Sequence, residues 1–70
     1  MMPLLFAEDG EANIIRSIGG SDEIRRHLNH LGFVVGGQVT VVSRMGKNVI
    51  VNVKETRVAI DERMASKIMI

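Results

Sequence analysis

Apolar residues follow two different periods along this chain. From Gln38 onward they alternate with polar ones. Val39 and Val41 share one face of a strand over 38–43, and Val49, Val51 and Val53 share one face of a second strand over 48–54. Arg57-Val58-Ala59-Ile60 reads as a third strand and Lys67-Ile68-Met69-Ile70 as the last. Between these and the N-terminal third the period becomes helical. Ile24, Leu28 and Leu31 fall at i, i+4 and i+7, which makes one stripe and predicts a helix over 21–31. Ser21 or Asp22 can cap it, and Asp22 and Glu23 suit its positive end. Gly32 suits a left-handed stop, so Phe33 should fold back on Leu28. Asp61 to Ala65 reads as a single capped helical turn with Asp61 as its cap.

The register of the strands is constrained by which side chains must face inward. A two-residue loop at Gly46-Lys47 would set Val51 opposite Val42 and split the valines between two faces. A three-residue loop, Arg44-Met45-Gly46, sets Val41 opposite Val49 and Val39 opposite Val51, and is the expected arrangement. A reversal around Glu55-Thr56 then sets Val53 opposite Val58 and Val51 opposite Ile60. Upstream, Glu11 to Ile18 reads as a strand whose uneven Ile15–Ile18 spacing implies a bulge near Arg16-Ser17. Pro3-Leu4-Leu5-Phe6 suits a first edge strand. Strands this short lose their exposed edges by closing up. The expected fold is mainly β: a small SH3-like β-barrel, a single domain over 1–70, with one inserted helix (about 21–31) and a short helical turn near 61–65.

Composition narrows the function classes. Seventy residues allow one small core, and the absence of cysteine removes disulfides and thiolate metal sites. The apolar start, Met1 to Ala7, is too short to span a bilayer or to serve as a signal segment, so the cytoplasm is the expected compartment. Nine basic residues balance eight acidic ones, with no basic stripe, and Phe6 and Phe33 are the sole aromatics. A nucleic-acid-binding barrel would need a basic groove and stacking aromatics, so no nucleic acid is expected.

Catalytic chemistry is not visible. Ser21, Ser43 and Ser66 have no evident base, and Asp61, Glu62 and Glu55 form no positioned acid–base pair. Gly46-Lys47 lacks the flanking residues of a phosphate-binding loop, and Gly19-Gly20-Ser21 reads as a strand-to-helix turn before an anion site. His27 and His30 are three apart on the helix, with Glu23 four before His27, which sets all three near one face. Two histidines without cysteine make an incomplete ligand set, so solvated helix residues are the expected reading, with no metal site and no cofactor.

The ordered set of signals resembles the ferrous iron transport protein A (FeoA) family. The matching residues are Leu4-Leu5, Gly10, Ile18-Gly19-Gly20 and a helix closing as Leu28-x-x-Leu31-Gly32-Phe33. They continue with Gly36 or Gly37, Val39-x-Val41, Val51-x-Val53, Val58-Ala59-Ile60, Ala65, Ile68 and Ile70. Two positions depart from the pattern. Val35 precedes Gly36-Gly37 where the family often has proline, and Glu55 stands where a turn glycine is common. A positive φ at Glu55 would cost ~1 kcal/mol.

The resemblance implies a small accessory protein without enzymatic activity. Its partner would be a membrane Fe²⁺ transporter with a cytosolic GTP-binding domain (FeoB type), which it supports or regulates; weak self-association is compatible with this role. The resemblance also extends to the C-terminal regulatory module of iron-dependent repressors, which would need an attached DNA-binding domain. An SH3-like barrel docks partners along an edge or cleft. The candidate partner-binding residues are therefore Leu28, Leu31, Phe33 and Arg25, beside the helix. Leu28 fits the core first on patterning grounds.

Overall fold

The computed structural model describes residues 1–70. A 3-10 turn at Leu4–Phe6 leads to strands β1 (Ala12–Ile14) and β2 (Ser17–Ile18), then helix α1 (Asp22–Leu31). Strands β3 (Gln38–Met45), β4 (Asn48–Val53) and β5 (Thr56–Asp61) follow, then the short helix α2 (Glu62–Ala65) and β6 (Ile68–Met69). One sheet has the order β1-β3-β4-β5; a second pairs β2 with β6, and every pairing is antiparallel.

The strand expected over 11–18 is divided between these sheets. The Ile15 N–H donates to Gly37 O (2.8 Å) on the β3 side, and the next amide, Arg16 N–H, donates to Met69 O (2.8 Å) on the β6 side. The uneven spacing of Ile15 and Ile18 therefore marks a change of partner between β1 and β2, not a bulge at Arg16-Ser17. No ladder joins β5 to β6. Helix α2 lies between them in the chain and packs on β4, β5 and the N-terminal turn, so the hydrogen-bonded ring of a barrel is left open.

The β3–β4 hairpin corrects the expected loop. It has two loop residues, Gly46 and Lys47, because Met45 pairs with Asn48. Positive φ at Gly46 (58°) and not at Lys47 fits the turn that takes glycine first. A register shift between Val41 and Ser43 then sets Val41 opposite Val51 and Val39 opposite Val53. One extra residue, Val42, thus keeps the valine rows on one face without an odd loop. The β4–β5 reversal also differs, by two residues: its loop is Lys54-Glu55, and Val51 faces Val58 while Val49 faces Ile60. Inward and outward faces are unchanged, since the shift is even.

At the N-terminus, Pro3 caps a 3-10 turn instead of opening an edge strand. Its ring fixes φ at −63°, Ala7 N–H closes the turn onto Leu4 O (3.0 Å), and only an isolated bridge to Met69 remains of the strand. The turn drives Leu4 and Ala7 into the interior. All thirteen buried residues are hydrophobic, so nothing ionisable lies inside. Phe33, Leu28, Ile15 and Ile68 fill this core together with the inward valines of β3 and β4.

Candidate partner-docking surface

Helix α1 is held at both ends by its own sequence. Ser21 Oγ accepts from Ile24 N–H (3.2 Å), which settles the cap in favour of Ser21 over Asp22. At the far end Gly32 takes φ 108°, Gly32 N–H donates to Asn29 O and Phe33 N–H to Leu28 O, each at 3.0 Å. That pair of bonds is the Schellman stop, and it carries Phe33 into the core. α2 is capped in the same manner, with Asp61 Oδ1 accepting from Met64 N–H (2.8 Å).

The apolar stripe fixes the rotation of α1. Leu28 points inward and is 0% exposed, while Ile24 and Leu31 are half-buried at the helix margins. Asp22, Glu23, Arg25, Arg26, His27, Asn29 and His30 form the solvent face. Arg25 is paired with Asp22 one turn earlier, an exposed contact of small energetic weight. Of the four residues expected to meet a partner, Leu28 and Phe33 are therefore enclosed beneath the surface. Leu31 and Arg25 lie where a partner can touch them.

A shallow groove of ≈ 200 Å³ runs beside the start of α1, where Ile24 faces Met64 and Lys67, with Asp61 and Arg63 at its rim. The sequence placed Ile24 on the apolar stripe that packs α1 on the sheet, and gave Met64 no surface role. At the other end of α1 a second groove of ≈ 330 Å³ has no hydrophobic residue in its lining, with Gly32, Asn52, Lys54 and Glu55 among its walls.

Glu23, His27 and His30 are all exposed, and no group of three His, Cys, Asp or Glu side chains converges anywhere in the chain. No helix is long and apolar enough to cross a membrane. The FeoA domain model matches residues 2–70.

The chain belongs to the FeoA family.

A candidate Fe(2+) transport protein A of Methanocaldococcus jannaschii is 31% identical over 70 residues, which are 100% of this chain and 85% of that one. A crystal structure of an FeoA described as an iron uptake regulatory protein superposes with TM-score 0.89 at 29% identity, covering 97% of this chain and 90% of its own. The Stenotrophomonas maltophilia FeoA, solved with zinc and described as a prokaryotic SH3 domain protein, gives TM-score 0.85 at 28% identity, covering 99% and 88%. A manganese-dependent transcriptional repressor shares the fold at 17% identity and TM-score 0.85 over 94% of this chain and 38% of its own. That last likeness is one of fold alone. The FeoA chain described here thus has the small SH3-like fold, with its β-ladders left open beside α2.

Proposed function

We infer that this FeoA chain is an accessory protein of ferrous iron transport. It docks from the cytoplasmic side on the membrane Fe²⁺ transporter that carries a GTP-binding domain. Family membership over residues 2–70 is the observation that carries this reading. It is supported by the relative assigned by name to Fe(2+) transport and by the S. maltophilia protein, described as a candidate ferrous iron transport activating factor.

The outer side of α1 is the proposed contact. Arg25 and Leu31 meet the partner there, and Leu28 and Phe33 hold the helix against the sheet so that its solvent face is presented as a rigid unit. The role requires no reaction centre and no bound metal; its chemistry is surface recognition. Surface variants test it better than core ones. Arg25→Glu combined with Leu31→Glu should leave the thermal midpoint within a few degrees of wild type and reduce co-purification with the detergent-solubilised transporter at least tenfold. Undiminished co-purification of that folded double variant would remove α1 from the interface.

A further inference from the structure

Strand β5 is the last strand of its sheet, and no ladder joins its other edge. Two features fix which backbone groups lie on that free edge. The two-residue loop Lys54-Glu55 closes on the pair Val53–Thr56, and Glu62 N–H donates to Lys47 O (3.0 Å), one step beyond the pair Asn48–Asp61. Backbone groups alternate in direction along an antiparallel strand. Thr56, Val58 and Ile60 therefore bond to β4. The N–H and C=O of Arg57 and Ala59 point away from it, as does the Asp61 N–H. None of the backbone bonds outside the ladders takes up these groups.

The side chains along this edge indicate which strand would fit it. Arg57, Ala59 and Asp61 are exposed, and Val58 on the other face is half-buried. Ala59 is small and stands beside half-buried Ile50 of β4. Neither Arg57 nor Asp61 has an ion-pair partner in the molecule. Arg57 Nε makes a long bond to Asn52 Oδ1 (3.4 Å), and Asp61 uses Oδ1 to cap α2. The two charges are opposite in sign and equally spaced on either side of Ala59. An antiparallel copy of the same strand centred on Ala59 therefore sets each Arg57 opposite an Asp61. Other centres fit worse. Val58 would oppose Glu55 to Asp61, Arg57 would oppose two arginines, and Ile60 would run each strand into the other copy's α2.

We propose that β5 is a self-pairing edge, through which two copies of this chain join antiparallel about a twofold axis at Ala59. Ala59 exchanges main-chain bonds with Ala59 of the second copy, and Asp61 N–H donates to the Arg57 carbonyl of the second copy. The paired Arg57 and Asp61 side chains hold the register, and each sheet continues into the other. A single ladder buries a small area, so the pairing is weak and depends on concentration and salt. It uses no residue of α1 and does not rest on the role proposed for that helix.

The test is sedimentation equilibrium of the chain from about 10 µM to about 1 mM at low salt, with amide hydrogen exchange measured at both ends of that range. A monomer–dimer equilibrium is expected, with exchange at the Arg57, Ala59 and Asp61 amides slowed in the concentrated sample alone. Ala59→Pro removes an N–H that no bond within the molecule uses, so this variant should fold and stay monomeric. Arg57→Glu should weaken dimerisation about tenfold by setting acidic side chains opposite each other. The α1 variant Arg25→Glu with Leu31→Glu should dimerise as the wild type does. A chain still monomeric at about 1 mM, or a dimer that Arg57→Glu leaves as tight as wild type, would overturn the proposal. So would exchange at Ala59 that is independent of concentration, or a dimer lost in the α1 variant.

Discussion

Arg44 fastens the N-terminal turn with a single guanidinium. It donates to Leu5 O (2.7 Å), to Ala7 O (2.6 Å) and to Asp9 Oδ1 (3.2 Å). These acceptors flank Leu4 and Ala7, which the turn buries. Arg44→Ala should therefore lower stability by ~1–2 kcal/mol in denaturant melts, more than an exposed ion pair alone would give. Nothing in the sequence pointed to this residue, because its partners are two backbone carbonyls nearly forty positions away. Glu55 was legible. The family pattern flagged it as a turn position that favours glycine, and its φ is 62°. Lys54 beside it also has positive φ (49°), so both loop residues adopt the mirror-image turn normally given to Asn-Gly. Glu55→Gly should stabilise the chain by ~0.5–1 kcal/mol, read as a higher midpoint in urea with an unchanged slope.

At the scale of elements, α1 is the part most fully written in the sequence. A capping hydroxyl, a three-residue stripe and a glycine before phenylalanine specified its start, its rotation and its stop. Each device can be removed singly. Ser21→Ala should cost ~1 kcal/mol by leaving the Ile24 amide without its acceptor. Gly32→Ala should cost about as much through the backbone, since a methyl there would meet Val53 Cγ1 at an ordinary 3.6 Å and the strain lies in φ. The β3–β4 hairpin was legible only in its outcome. Facing of the valine rows was expected and found, yet the route differed: Val41-Val42 places two apolar residues in succession, and a bulge there serves as well as an odd loop. Local sequence does not choose between these devices, because both satisfy the same burial requirement. The 3-10 turn at Leu4–Phe6 was missed for a related reason. Four residues after a proline are too few to show a period, and the decision is made by burial of Leu4 against distant strands.

For the whole molecule, an entirely hydrophobic interior of thirteen residues supports a chain of seventy. Such a core has little reserve. Leu28 joins the stripe of α1 to this core, so Leu28→Ala should destabilise by ~2–5 kcal/mol and loosen the outer face of the helix along with it. The helix surface and its rigidity thus share one cause. The proposed site was half legible: the stripe told which residues lie beside the helix, but packing against the core encloses Leu28 and Phe33 and leaves Arg25 and Leu31 outside. The most direct measurement is amide hydrogen exchange on this chain, free and bound to the ferrous iron transporter. Slower exchange across Asp22–Leu31 in the complex is the predicted result. Exchange in α1 that is the same bound as free would contradict the assignment of this helix as the docking surface.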